Sequence, residues 1–334
     1  MRCRKGGDRL QERIPKTIAQ VLGINLGVAA VIFLVSISVP IFGFFSALFL
    51  PLPVMILRVH MDRRTAGMVT AALVVGMAVI LEGPSPDLLF FFELTLAGFI
   101  LADAFDTGAS LEAAFLRSLG AVLGTGVALI LLYTTVSTTT LSQMAEAYVA
   151  TNLQLMSAIY RDMGMSETEM ARLADMTRQV SVFLVRTLPA MAGAFTLMIL
   201  WLNLLMFRRW AFRSGYPLGV QADLKTWKTP DALIWWLIGC GIAVMLPVAA
   251  LDIIGKNGII FLITIYFFQG MAIVSFYFEK KQIPALLRVI LYTFIFLQQV
   301  LIILIIGLGL FDMWADFRRL SRPPTDADAP PREG

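Results

Sequence analysis

An all-α polytopic membrane bundle is the fold class that three observations predict. Hydrophobic residues make up 58% of the 334-residue chain and charged residues 15%, against about 25% charged in a soluble domain. The apolar residues gather into blocks of roughly 17 to 27 residues, each long enough to cross a hydrocarbon core of about 30 Å as a helix. These blocks do not alternate in polarity, as the roughly 10-residue strands of a membrane barrel would. The reading gives about nine transmembrane helices, with eight as the alternative, and an amphipathic helical hairpin on the outer surface.

The basic amino terminus, residues 1–16, contains Arg2, Arg4, Lys5, Arg9, Arg13 and Lys16. No charge follows until Arg58, so this apolar stretch is far too long for a cleaved signal peptide. It is also too long for one span. Pro40 marks the hairpin point, and Pro51 and Pro53 should kink or shorten the returning helix. After a short basic loop with Arg58, His60, Arg63 and Arg64, a third span is expected over 65–81. In the next turn Ser85 suits a helix N-cap, Pro86 the first helical position and Asp87 the positive end of the dipole. The fourth span runs from there to Asp103 and Asp106, and a fifth over 117–135, so that residues 17–136 form the first five spans.

Between 137 and 180 polar residues interrupt the apolar ones at helical spacing. Leu141, Met144, Tyr148, Met156, Ile159 and Met163 predict one amphipathic helix ending at Gly164. Ser166 with Glu169 reads as a capping box that starts a second helix and feeds the sixth span. Residues 181–311 supply the last four spans. The sixth ends at Arg208 and Arg209, the seventh starts at Thr229-Pro230-Asp231, and 252–257 is expected to be a short turn. The eighth ends at Glu279-Lys280-Lys281, and the ninth covers 284–311. The tail, 312–334, is expected to be disordered.

With the amino terminus in the cytoplasm, the inner segments carry six, three, one, five and three Lys or Arg, and the outer ones none, none, four, one and four. That asymmetry is the usual signature of orientation. It also accounts for the excess of four positive charges without invoking nucleic acid. No disulfide is expected between Cys3 and Cys240, and no metal or cofactor site is apparent around the single histidine, His60.

Within this apolar chain a few charges are misplaced, and these are the candidate site residues. Glu93 lies about six residues, or roughly 9 Å, below the outer end of its span, where a carboxylate is costly unless paired, protonated or facing water. Arg186 enters the sixth span at a similar depth. The two could pair as a bridge that fixes packing or as the polar floor of a pocket open to the outside; Arg186 could instead snorkel. Asp103, Asp106 and Arg117 form a second group near the inner face, where interfacial anchoring is the plain explanation. Gly23, Gly27 and Ala30 share one face of the first helix, and Gly120 and Gly124 repeat the GxxxG spacing in the fifth, which permits helix docking.

No P-loop occurs, since Gly255-Lys256-Asn257 lacks the leading glycine and the following Ser or Thr. HExxH is missing, and His60 is placed in a cytoplasmic loop, away from any outer nucleophile. The chain is therefore expected not to be an enzyme.

The segment Phe49-Leu-Pro-Leu-Pro-Val54, the basic loop from Arg58 to Arg64 with Gly67, and the far end from Gln269-Gly270 through Phe278-Glu-Lys-Lys281 to Phe311-Asp312 and Phe317-Arg-Arg319 resemble the YybS-like family of bacterial multi-pass membrane proteins. The first six spans more distantly resemble the substrate-binding S components of energy-coupling-factor transporters. That likeness implies a small molecule bound near the outer face, with Glu93 and Arg186 near the pocket and Gly23, Gly27 and Ala30 in the docking position. The chain departs from it by three extra spans, the outer hairpin and the basic loop. The expected function is that of a bacterial cytoplasmic-membrane protein of transporter-like fold binding a small solute. A scaffold that organises a membrane-protein partner is the alternative.

Overall fold

The computed structural model describes residues 18–137, 166–216, 224 and 227–318. The basic amino terminus, the first helix of the expected hairpin and residues 319–334 lie outside the described residues. The described regular structure is helical throughout. Seven helices are long and apolar enough to cross a membrane, or eight if one sharply bent pair counts as a span. The protein is thus a polytopic helical membrane protein, with seven or eight such helices among the described residues against the nine, or alternatively eight, expected.

The first compact unit comprises residues 1–131 and 196–221. Helix α1 (Ile18–Ser38) ends before Pro40, and α2 (Pro40–Ala47) folds back on it. Its buried face is Val21, Asn25, Ala29 and Phe33, one residue per turn. The returning span is broken, as the prolines predict, and resumes as α3 (Pro51–His60). Across the break the backbone tightens to three-residue bonds, with Leu50 N donating to Ala47 O at 2.9 Å and Leu52 N to Phe49 O at 3.1 Å. Because Leu52 donates to Phe49, it leaves Leu48 O free, and the carboxamide of the buried Asn203 donates to that oxygen at 2.8 Å.

Helix α4 (Arg63–Ile80) is capped by Asp62, whose carboxylate accepts from Thr65 N at 3.0 Å. This bond holds the exposed Asp62 carboxyl below its ordinary pKa. Helix α5 (Pro86–Asp106) starts as its sequence predicts, with Ser85 Oγ accepting from Leu88 N at 3.1 Å. It packs closely on α3. A methyl group at Gly98 would lie 2.5 Å from Pro51 O, so only glycine allows this approach. Helix α6 (Leu111–Ser137) begins six residues earlier than expected.

Helix α7 (Glu167–Ser214) is one continuous helix of 48 residues. Its amino-terminal end is the expected capping box: Ser166 N donates to Glu169 Oε2 at 2.9 Å, and Glu169 N donates to Ser166 Oγ at 3.4 Å. At about 1.5 Å per residue it is roughly 72 Å long, more than twice a hydrocarbon core, so part of it must project beyond the bilayer. Residues up to Phe195 belong to the second unit and those from Thr196 to the first.

The second unit comprises residues 132–195 and 222–334. Its helices are α8 (Leu233–Met245), α9 (Ala249–Lys280), α10 (Ala285–Leu297) and α11 (Gln299–Ala315). Two expectations are corrected here. The segment 252–257 is not a turn but the opening of α9; the break falls earlier, at Pro247, which has no N–H to continue a helix. The expected ninth span is two helices bent by 101°, and the break falls on Gln298, where a Gln pair interrupts the apolar run.

Helix α11 crosses α9 at glycines. A methyl group on Gly270 would collide with Ile305 O, and one on Gly309 with Tyr266 O. Beside this crossing lies a buried polar lock. Arg318 donates to Asp312 Oδ2 at 2.7 Å and to Trp227 O at 2.8 Å, Gln269 donates to the same carboxylate oxygen at 3.1 Å, and Phe317 N donates to Asp312 Oδ1 at 3.0 Å. The two charged side chains are 0% and 3% exposed. Residues 312–318, expected to open a disordered tail, are therefore folded.

Removing one member of such a pair strands a buried charge. Arg318→Ala or Asp312→Ala should each lower stability by about 3 to 5 kcal/mol. The double variant should lose less than the sum of the two. Thermal unfolding of the purified chain in detergent measures both effects.

Candidate functional site

Every charge in the membrane-facing part of the chain needs a partner or water, and the described residues show three solutions. In the first unit, Arg58 ends α3 and is only 4% exposed. Its Nε and Nη2 donate to Asp103 Oδ1 at 3.0 and 2.7 Å, Nη2 reaches Asp106 Oδ2 at 3.1 Å, and Nη1 donates to Met61 O at 3.2 Å. Arg63 approaches Asp103 at 3.4 Å. The structure thus brings Asp103 and Asp106 together, as expected, but around Arg58 and Arg63. Arg117 is exposed and takes no part among these contacts.

The Tyr216 hydroxyl lies 3.4 Å from Asp106 Oδ1. Burial and the neighbouring carboxylate push its pKa above the ordinary phenol value. His60 Nδ1 lies 2.8 Å from Ile56 O, so that nitrogen carries the proton. Its ring meets Trp210 edge-on, with centroids 5.4 Å apart. This cluster is saturated with its own hydrogen bonds and suits an anchor more than a binding site.

Glu93 stands alone within its unit. It is half-buried, with no hydrogen-bond or ion-pair partner there among the described residues, and Oε1 lies 2.6 Å from the position a methyl group at Gly126 would occupy. The glycine therefore makes room for the carboxyl. Arg186 belongs to the second unit, so its expected pairing with Glu93 stays an expectation.

Arg186 instead borders a cavity within the second unit, of about 170 Å³. One wall is the α7 face Gln179, Val182, Phe183, Arg186 and Thr187, whose spacings of three and four place them on one side of a helix. The other is the first part of α9, with Asp252, Ile253 and Lys256. Lys256 Nζ donates to Asp252 Oδ2 at 2.7 Å, one turn apart. The Arg186 guanidinium has no hydrogen-bond or ion-pair partner among the described residues.

The helix bordering this cavity is continuous but locally altered. Pro189 lies inside α7, where it lacks an N–H and its ring crowds the carbonyl four residues earlier. Next to it the side chain of Asn257 enters the backbone ladder. Asn257 Oδ1 accepts from Ala190 N at 3.0 Å, and Nδ2 donates to Arg186 O at 2.8 Å. In a regular helix Ala190 N–H would bond Arg186 C=O directly; here a carboxamide serves both groups. A second bond from Nδ2 to Ile253 O at 2.8 Å ties the carboxamide to its own helix. The Thr187 hydroxyl, bonding back to Phe183 O at 2.8 Å, also favours bending.

Neither Asn257 nor Asn203 was legible as a site residue. Each acts on a carbonyl far away in sequence, and only the prolines signal that a helix would need such help. The expected docking faces are open. Gly23, Gly27 and Ala30 are exposed, and a methyl group at Gly23, Gly27, Gly120 or Gly124 would meet nothing within 4 Å. Among the described residues no three His, Cys, Asp or Glu side chains converge as a metal site would require.

Comparison with known proteins supplies one finding. The family model described as "Predicted membrane protein (DUF2232)" matches residues 27–313. No curated protein and no solved structure gives a significant match.

Replacing Asn257 by Ala leaves a backbone donor and acceptor without partners. It should lower stability by about 1 to 3 kcal/mol. Asn257→Asp, which keeps the acceptor but loses the donor, should also destabilise. Thermal unfolding of both variants beside the parent checks this; an Asn257→Ala protein as stable as the parent would show that the backbone closes by itself.

Proposed function

The chain belongs to this family of predicted membrane proteins, and from that premise we propose that it is a non-enzymatic protein of transporter-like fold that binds a small solute at the Arg186 cavity. The observation that carries the reading is the Asn257 carboxamide bonded to α7 at Arg186 and Ala190 beside a cavity of mixed polar and apolar lining. A proline with a side chain inserted into the hydrogen-bond ladder is a point where a helix can bend, here next to the charge of Arg186. The distribution of basic residues supports a bacterial cytoplasmic membrane with the amino terminus inside, which puts the Arg186 end of α7 toward the outside. The distant resemblance to S components agrees with solute capture from that side.

The open face of Gly23, Gly27 and Ala30 favours a second reading, a scaffold that docks another membrane protein on α1. A thermal-shift screen of small solutes on the purified chain separates the two. Solute binding predicts stabilisation that is lost when Ile253→Trp fills the cavity and kept in Gly27→Leu. The scaffold predicts a co-purifying membrane protein that is lost in Gly27→Leu, with no solute effect on either variant.

A further inference from the structure

We propose that the Arg186 cavity takes a small amphiphilic monocarboxylate, an apolar group of about the size of benzene bearing one negative charge. The inference rests on the solute-binding reading and adds the class of solute. The charge of the lining sets the sign. Arg186 and Lys256 face a single carboxylate, Asp252, which already holds Lys256 at 2.7 Å. One net positive charge remains, and it belongs to Arg186, whose guanidinium has no partner among the described residues. A planar fork of donors matches a carboxylate, which it can hold through two parallel hydrogen bonds. A dianion would leave one charge uncompensated, and a cation would meet only repulsion from Arg186.

The other polar groups in the lining do not compete for the role, since the Thr187 hydroxyl donates to Phe183 O. The Gln179 amide nitrogen donates to Asp175 at 2.9 Å and is thus engaged. Val182, Phe183 and Ile253 supply an apolar wall for the rest of the solute. Size follows from the volume. At about 170 Å³ the cavity is close to the engineered apolar cavity of about 150 Å³ that holds one benzene. A ring or a short branched chain fits within it.

The test uses the full chain in detergent at constant ionic strength, with benzoate, benzamide and benzylamine as probes of equal size and different charge. Saturable binding is read by ligand-observed NMR and thermal shift. Benzoate should bind about tenfold or more tightly than either other probe, and Arg186→Gln should remove about that factor. Arg288→Gln, at a guanidinium bound to Ile283 O away from the cavity, should leave binding unchanged. Should Arg186→Gln fail to fold, Asp252→Asn serves instead: it frees Lys256 and should tighten benzoate binding. Equal or better binding of benzamide or benzylamine, lost in Ile253→Trp, would overturn the carboxylate class while keeping the solute site. Absence of binding by all three probes would overturn both.

Discussion

A bilayer offers backbone N–H and C=O groups no water, so any break in a helix must be repaired from within the protein. This constraint organises the structure. Two spans carry prolines that perturb the ladder, and near each an asparagine carboxamide bonds backbone groups of the helix. Asn203 reaches Leu48 O where α2 gives way to α3, and Asn257 bridges Arg186 O and Ala190 N beside Pro189. A carboxamide carries a donor and an acceptor without a net charge; Asn257 uses both, whereas Asn203 uses its donor alone. The two repairs differ in surroundings. Asn203 is fully buried in a packed core, whereas Asn257 is half-buried and follows Lys256 of the cavity lining.

The same constraint sorts the charges. Arg58 with Asp103 and Asp106, and Arg318 with Asp312, are satisfied inside the protein and read as pins that hold helices in place. Arg186 stands outside that pattern and faces a hollow. Arg186 is exposed and its guanidinium has no partner among the described residues, and the proposed function centres on it, between α7 and α9.

Much of the fold was legible in local chemistry. Ser85-Pro86-Asp87 and Ser166 with Glu169 start helices where their capping chemistry says they should, and Pro40 separates α1 from α2. Such signals work because their partners lie within four residues. The misreadings arise where partners are distant or a signal is double-edged. Asp252 to Asn257 looked like a turn because it is polar, yet Asp252 suits the first turn of α9, Lys256 pairs with it one turn on, and Asn257 serves a helix 67 residues away. Likewise Arg58 meets Asp103 across 45 residues, so the inner acidic group could be located from sequence but its basic partner could not. Arg186 was singled out for its misplaced charge; its neighbours across the cavity become visible only when α7 and α9 are packed together.

The central claim is that Asn257 braces α7 at Arg186 and Ala190, where Arg186 borders the cavity. Amide hydrogen exchange across residues 186–190 tests it most directly, with residues 200–207 of the same helix as the internal reference. The account predicts slow exchange at Ala190 in the parent chain, faster exchange there in Asn257→Ala, and no change in the reference segment. Equal protection of Ala190 in both proteins would contradict it.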